Sequence, residues 1–394
     1  MGQGMNADVV IVGGAVMGAS AAYWLTRMDP TLQVRVIDRD PSYARAATAL
    51  SVASIRQQFS TGVNVAISAF GIGFIREFQT SLGRDVGVAS LGLQENGYLF
   101  LGRSQEAPQI MAEHAVLQRG YGAATEVWTP AQVQARFPWL QVGDLTAASF
   151  GPRDEGWFDN MGLLAGFRNA AKAQGAVFAT DEVTGLRYME GRVTGVELAS
   201  GAVIGCGAVI NAAGTRGAVI ARMAGLDLPV EPRKRTVFVI NAPNARHPDA
   251  PLMVDAGFYL RPERQHWITA TVPNDDGPCD ANDFEPDLHL FEDVIWEQLY
   301  ARAPSFDAVK VVRHWVGHYD YNTLDQNALL GPHPHIPNFY FMNGFSGHGL
   351  QQSPAVGRGT AEYVLQGGWR TIDLSDLSVG RVLTGRAFAE QAII

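Results

Sequence analysis

Residues 8–38 constrain this chain more than any other stretch. Asp8-Val-Val-Ile-Val12 reads as a buried strand, residues 16–27 as a helix, and residues 33–37 as a second strand ending at Asp38. Between the first strand and the helix stands Gly13-Gly14-Ala15-Val16-Met17-Gly18. Gly13 permits the tight turn after the strand, and Gly18 permits close helix–strand packing. The helix N-terminus then faces a pyrophosphate. Asp38 lies 25 residues after Gly13, where its carboxylate can accept hydrogen bonds from a ribose hydroxyl. That favours an unphosphorylated adenosine ribose. Ala15 stands where the pattern has its middle glycine, so one methyl must be accommodated beside the phosphates. The motif indicates nucleotide binding but does not separate one dinucleotide from another.

Residues 9–26 carry no charge, long enough to suggest a membrane span or a signal segment. Three glycines interrupt the stretch and an acid, Asp8, precedes it, so a buried strand followed by a buried helix explains it better. No other stretch resembles a membrane span. The 394 residues suggest two domains. The net charge of −9 argues against nucleic-acid binding, which needs clustered Lys and Arg. Two cysteines, Cys206 and Cys279, form neither a disulfide framework nor a zinc spacing. His314 with His318 and His333 with His335 are closely spaced, but no carboxylate or cysteine completes a ligand set, so no metal is expected. The localisation expected is cytoplasmic, or peripheral to a membrane.

Further along, residues 62–80 have helical spacing, and Asn96-Gly97 marks a turn between two short strands of a hairpin. Thr129-Pro130 reads as an N-cap and first helical residue, and Pro138 marks that helix's end. A helix covers 161–174. Strands are expected at 176–180, 183–188, 192–198, 208–211, 233–240, 257–261, 266–272 and 339–342, helices at 288–302 and 351–365, and a loop at 273–287. Strand–loop–helix units therefore stand at 8–27, 208–222 and 339–365, with antiparallel-looking material between them. The simplest architecture is α/β: one nucleotide-binding domain assembled from residues 1–82, 145–228 and 322–394, with a sheet-rich substrate domain from 83–144 and 229–321.

A second glycine-rich motif, FYFMNGFSGHGL over residues 339–350, precedes the last long helix. Its small residues let backbone lie against a flat ligand, and the helix N-terminus presents N–H groups and positive partial charge. The negative N1–C2 carbonyl edge of a reduced flavin suits that end, with His348 beside the ring. Arg56 is the leading substrate residue. An arginine next to a flavin can form a bidentate pair with a carboxylate, stabilise reduced flavin, or serve a structural ion pair. Arg261 is the second candidate, and strand alternation puts Tyr259 on the same face.

The N-terminal motif, Ser54-Ile-Arg-Gln-Gln-Phe59, Asn211-Ala-Ala-Gly214 and Gly344-Phe-Ser-Gly-His-Gly349 together resemble the D-amino-acid oxidase and sarcosine oxidase superfamily. The run Tyr319-Asp-Tyr-Asn-Thr-Leu-Asp-Gln-Asn327, with Gly331-Pro-His-Pro334, is similar to its FAD-dependent oxidoreductase domain-containing branch, which includes a respiratory complex I assembly factor. The resemblance implies a Rossmann-type FAD-binding domain of the glutathione-reductase-2 type, with an inserted, mainly antiparallel (α+β) substrate domain. It implies that Gly13, Ala15, Val16, Met17, Gly18, Asp38 and Arg39 hold the ADP half of FAD. Thr48 and Ser51 would lie along the pyrophosphate and ribityl chain, and Val183 would meet adenine. Ala213 and Gly214 would pass near the ADP half, and Gly347, His348, Gly349, Leu350 and Gln351 would contact the isoalloxazine. Related oxidases tether flavin through a cysteine near a region that here holds His318 and Tyr319, so FAD is expected to be non-covalent. They also use a lysine to activate oxygen; none stands near residues 259–261, which puts rapid reaction with oxygen in doubt.

The resulting expectation is an FAD enzyme that oxidises a carboxylate-bearing secondary amine, or an N-substituted or D-amino acid. Hydride passes from the α-carbon to flavin N5, and the imine product hydrolyses. Arg56, Tyr259, Arg261 and His348 are the candidate residues on the substrate side. The electron acceptor would be oxygen, a quinone or an electron-transfer protein. Two other readings stand beside it: oxidation of a 2-hydroxy acid, and a non-catalytic FAD-binding assembly factor for a respiratory complex.

Overall fold

Five parallel strands make the frame of the first sheet, in the order Ile336–Asn343, Val203–Asn211, Met5–Val12, Val34–Asp38, Val177–Thr180. The structure, a computed structural model, describes residues 5–391. Residues 1–4 and 392–394 of the expected domain ranges lie outside the described residues. Leu329–His333 adds antiparallel to the Ile336–Asn343 edge, and the ribbon Val183–Met189 with Arg192–Leu198 folds onto the start of Val203–Asn211. The uncharged stretch near the N-terminus is this sheet's central strand and the helix Val16–Met28, whose residues 16–26 are all buried. Burial on every side explains why that helix has no polar face.

Sequence-distant segments meet because parallel strands send their following loops to one edge. Gly13, Asp38, Ala212–Gly214 and Gly344–His348 all stand at carboxyl ends of paired strands. Gly13 takes a left-handed φ of +97°, and a Cβ there would lie 2.4 Å from the Ala212 carbonyl oxygen. Gly18 has even less room: its Cβ would lie 1.8 Å from the Gly13 carbonyl oxygen. Both glycines thus do what their spacing suggested. The helix Gly349–Gln366 closes this layer, and Pro354 sits within it. Proline cannot donate to the Leu350 carbonyl, and the Ser353 hydroxyl donates there instead, at 2.9 Å.

The second sheet runs in the order Lys310–Asn322, Val230–Asn241, His266–Thr271, Phe258–Glu263, Leu252–Asp255, Tyr98–Gly102, Ala147–Gly151, Glu126–Trp128. All its pairs are antiparallel except Leu252–Asp255 with Tyr98–Gly102. The hairpin expected at Asn96-Gly97 does not form. Gly97 does turn the chain, but Tyr98–Gly102 is held by strands from residues 147–151 and 252–255, and only an isolated bridge at Gln94 precedes it. Tertiary pairing overrides the local turn signal here. Ala147–Gly151 belongs to the second sheet, paired with Tyr98–Gly102. The helix expected at 161–174 is Asn160–Ala173, N-capped by Asp159, and Thr129 with Gln132 forms a capping box at Pro130–Arg136. Among the described residues no helix is long and apolar enough to cross a membrane.

Candidate active site

One cavity of about 660 Å³ runs between the carboxyl edge of the parallel sheet and the face of the second sheet. Two helix N-termini open on it. Ala15 precedes Val16–Met28 and His348 precedes Gly349–Gln366, and neither N-cap makes a side-chain capping bond. Uncapped N–H groups carry positive partial charge, so the pair suits an elongated ligand with two electron-rich regions. The loop before the second helix is built for close approach. Gly344, Ser346 and Gly347 all have positive φ, and a Cβ on Gly347 would lie 2.7 Å from the Tyr319 ring. Asp320 pins that loop by accepting the N–H groups of Gly344 (2.9 Å) and Phe345 (3.2 Å). Burial pushes the Asp320 carboxyl up to about 6.

At the first N-terminus, the Gly14 N–H donates to Asp38 Oδ2 at 2.7 Å and the Asp40 N–H to Oδ1 at 2.8 Å. Burial nevertheless raises the Asp38 pKa. A carboxylate has about four lone-pair sites, so capacity remains for a hydroxyl. The Thr48 hydroxyl accepts the Val16 N–H at 3.3 Å, which ties residues 47–51 to the glycine turn. Ala15, Val16, Met17, Arg39, Thr48, Ser51, Ala213, Gly214 and residues 347–351 line the cavity, as do Gly13 and Asp38. Gly18 does not; it lies beneath the turn, consistent with a packing role. Val183 lines a smaller adjoining pocket of about 110 Å³ shared with Gly13, Asp38 and Arg39.

The opposite end is built around Arg56. It comes directly after the two-stranded ribbon of Ser54–Ile55 with Gly156–Trp157, which fixes its backbone. Arg56 is 2% exposed and lines the cavity. Its N–H donates to Gln351 Oε1 at 2.9 Å, Nη1 donates to the Gln58 carbonyl at 2.6 Å, and Nη2 lies 3.0 Å from His348 Nε2. The guanidinium sits 4.3 Å from the Phe59 ring centroid, with Tyr98 and Phe100 within 5.9 Å. Burial, reinforced by the Arg56 charge, holds His348 down to about 3. The imidazole is therefore neutral at working pH and accepts from Arg56 through Nε2. Tyr259 also lines the cavity, beside Tyr98 and Tyr319.

Arg261 does not join them. Although 4% exposed, it donates to Glu263 Oε2 (2.6 Å), the Pro262 carbonyl (3.0 Å) and the Val52 carbonyl (3.1 Å), and stacks on Trp157. Its Nη donors serve a loop and its own strand. Arg235, which sequence reasoning passed over, lines the cavity instead. It forms a two-pronged pair with Asp276 and lies 4.9 Å from the Tyr319 centroid. In the ladder Arg235 pairs with Gly317 and Arg233 with Tyr319, and of Arg235 and its neighbours Arg233 and Lys234 only Arg235 lines the cavity. Among the described residues no cluster of three metal-ligating side chains occurs.

Glu155 was also missed. It is 1% exposed and accepts the Gln57 N–H and Gln58 Nε2, each at 2.7 Å. Burial outweighs these bonds and pushes its carboxyl up to about 7 from an ordinary 4.5. The native state thus holds this proton more tightly than the unfolded chain does. Its contribution to stability is complete below about pH 4.5 and is lost as pH rises through about 7. Glu155→Gln is therefore expected to flatten the fall in Tm over that interval, measured by thermal melts of both proteins at matched pH. Parallel curves would refute the assignment.

Comparison with known proteins agrees with this geometry. Residues 8–363 match the profile of the FAD dependent oxidoreductase (DAO) family. The chain is 40% identical to FAD-dependent oxidoreductase domain-containing protein 1 of Bos taurus, over 99% of this chain and 87% of that protein. It is 25% identical to the mitochondrial sarcosine dehydrogenase of Homo sapiens over 92% of this chain but only 40% of that protein. The L-proline dehydrogenase of P. horikoshii superposes with a TM-score of 0.86 at 24% identity, covering 98% of this chain and all of that one. The cavity with its two open helix N-termini fits FAD, and the chain belongs to the FAD dependent oxidoreductase family of D-amino-acid oxidase type.

Proposed function

We propose that the protein oxidises a small secondary amine or N-substituted amino acid that carries a carboxylate. The observation that carries this reading is the buried guanidinium of Arg56 at the cavity wall, backed by three aromatic rings. A cation in so dry a setting favours an anionic partner, and its planar fork matches a carboxylate. Bound FAD supplies the two-electron acceptor; the protein binds, orients and excludes water. Arg56 would hold the carboxylate and Tyr259 would border the substrate. His348 would keep the guanidinium in place through its neutral Nε2. The turn at Gly13, with Ala15, Val16 and Met17, would cradle the diphosphate, with Gly18 packing beneath it, and Asp38 would hold the adenosine ribose. Val183 would meet adenine, and Gly347, Gly349, Leu350 and Gln351 the ring.

His348 favours an amine over a 2-hydroxy acid. Removing hydride from an alcohol calls for a base to take the hydroxyl proton, whereas a neutral amine needs none. The His348 imidazole already accepts from Arg56 and resists protonation. Anaerobic titration with a panel of amines, amino acids and 2-hydroxy acids tests the proposal by bleaching of the flavin band. Reduction by hydroxy acids alone would overturn it.

The proposal includes non-covalent FAD and a discontinuous cofactor domain whose middle segment begins after residue 151. Neither Cys206 nor Cys279 lines the cavity, whereas His318 does, and its Nε2 has no hydrogen-bond partner. Acid precipitation is expected to leave all flavin in the supernatant. Flavin retained on a peptide containing His318 would contradict this.

A further inference from the structure

The segment after residue 375 returns to the substrate end of the cavity. Arg381 grips Asp325 with two donors, Nε to Oδ2 at 2.7 Å and Nη2 to Oδ1 at 3.0 Å. The Phe388 N–H donates to the same carboxylate at 2.8 Å, and the Glu390 N–H donates to the Asp325 carbonyl at 3.1 Å. This strap carries Glu390 inward until it is 1% exposed.

Among the described residues, four donors reach the Glu390 carboxylate. Oε1 accepts the Ser60 N–H (2.8 Å) and hydroxyl (2.6 Å), and Oε2 accepts the Thr61 hydroxyl (2.9 Å) and Asn64 Nδ2 (2.9 Å). A shell of donors of this kind suits the ionised form. All four donors belong to the start of the helix Gly62–Arg76, whose N-cap Thr61 makes no side-chain bond to its own helix. A negative charge there complements the helix dipole.

The same turn continues directly from Arg56. Phe59, next to Ser60, packs edge-on to His348 with centroids 5.2 Å apart and underlies the Arg56 guanidinium. Asn64 accepts from Gln352 Nε2 at 3.1 Å, and the neighbouring Gln351 holds the Arg56 N–H. The charges of Arg56 and Glu390 act on His348 in opposite directions. Glu155, also buried and acted on by the Arg56 charge, grips Gln57 and Gln58.

We propose that Glu390 is a positioning residue for Arg56: its carboxylate locks the Ser60–Asn64 turn and supplies buried negative charge beside Arg56 and His348, so the C-terminal segment completes the carboxylate-binding end. The inference rests on the reading of Arg56 as the carboxylate partner. Its test compares Glu390→Gln with the wild-type holoprotein. The probes are propionate and its uncharged counterpart propionamide, each titrated against the absorbance band of bound flavin. Groups within one hydrogen-bond network couple strongly enough that propionate should bind about tenfold more weakly to the variant. Propionamide should bind both proteins alike. An unchanged ratio of the two dissociation constants overturns the inference, because a purely structural role lowers Tm or weakens both probes equally. If wild-type protein itself shows no preference for propionate, the Arg56 reading falls first, and that result is distinguishable from the former. Should Glu390→Gln be recovered without FAD, Ser60→Ala removes one donor and leaves the carboxylate. It is expected to shift the ratio about threefold in the same direction, and no shift overturns the inference.

Discussion

Arg56→Met is expected to keep FAD while losing flavin reduction by carboxylate-bearing amines. Methionine preserves the packing against Phe59, Tyr98 and Phe100 but removes the charge and every N–H of the guanidinium. Losing one partner of a buried charged pair costs about 2–5 kcal/mol, much of it because the other charge is left unpaired. That corresponds to about 30-fold to several-thousand-fold in kcat/KM. Uncharged analogues of the same amine should suffer far less. The measurement is the rate of anaerobic flavin reduction with each substrate class. Equal losses for both classes would mean that Arg56 serves the flavin; no loss for either would make it structural. In that last case Arg235 is the next candidate, because it lines the cavity and Arg261 does not.

Gly18→Val is expected to produce protein with little or no FAD. The smallest side chain would already place a carbon 1.8 Å from the Gly13 carbonyl oxygen and 3.0 Å from the Gly13 carbonyl carbon. Both obstacles are backbone, so no rotamer change relieves the clash. The helix Val16–Met28 must move away from the strand that supplies the turn. Overpacking of this kind typically costs about 1–3 kcal/mol of stability. The diphosphate cradle depends on the turn that must shift, so the same displacement lowers FAD affinity. Flavin per chain after desalting should fall by about tenfold or more, with a lower Tm that excess FAD only partly restores. Wild-type flavin content in this variant would show that the close approach of helix and turn is unnecessary for binding.

Much of the cofactor side was legible because it rests on local rules. The glycine turn, the acid ending the second strand and the last glycine-rich loop each sit within a single strand–loop–helix unit. In such units backbone sterics and helix-end electrostatics operate over a few residues. The N-cap at Thr129 and the Pro130 helix start were legible for the same reason. The hairpin at Asn96-Gly97 failed because a turn signal marks a reversal of the chain without choosing the partner of the strand beyond it. Residues 98–102 found partners about 50 and 150 positions away.

The substrate side was less legible. Alternation assigned Arg261 and Tyr259 to one face, yet only Tyr259 borders the cavity, because what covers a sheet face depends on elements distant in sequence. Arg235, Glu155 and Glu390 carry no motif. Each becomes notable only through a partner far along the chain: Tyr319 for Arg235, Gln57 and Gln58 for Glu155, Ser60 and Asn64 for Glu390.

By itself the sequence determined a dinucleotide-binding βαβ start, the glycine positions that must stay bare, and the family resemblance of the whole chain. The tertiary structure decided which arginine of Arg56 and Arg261 faces the cavity, what keeps His348 neutral, and that Glu390 packs beneath Ser60. The division comes from the range of the forces involved. Turn geometry and helix-end charge are set by neighbouring residues, whereas desolvation and the pairing of buried charges depend on everything that packs around a group.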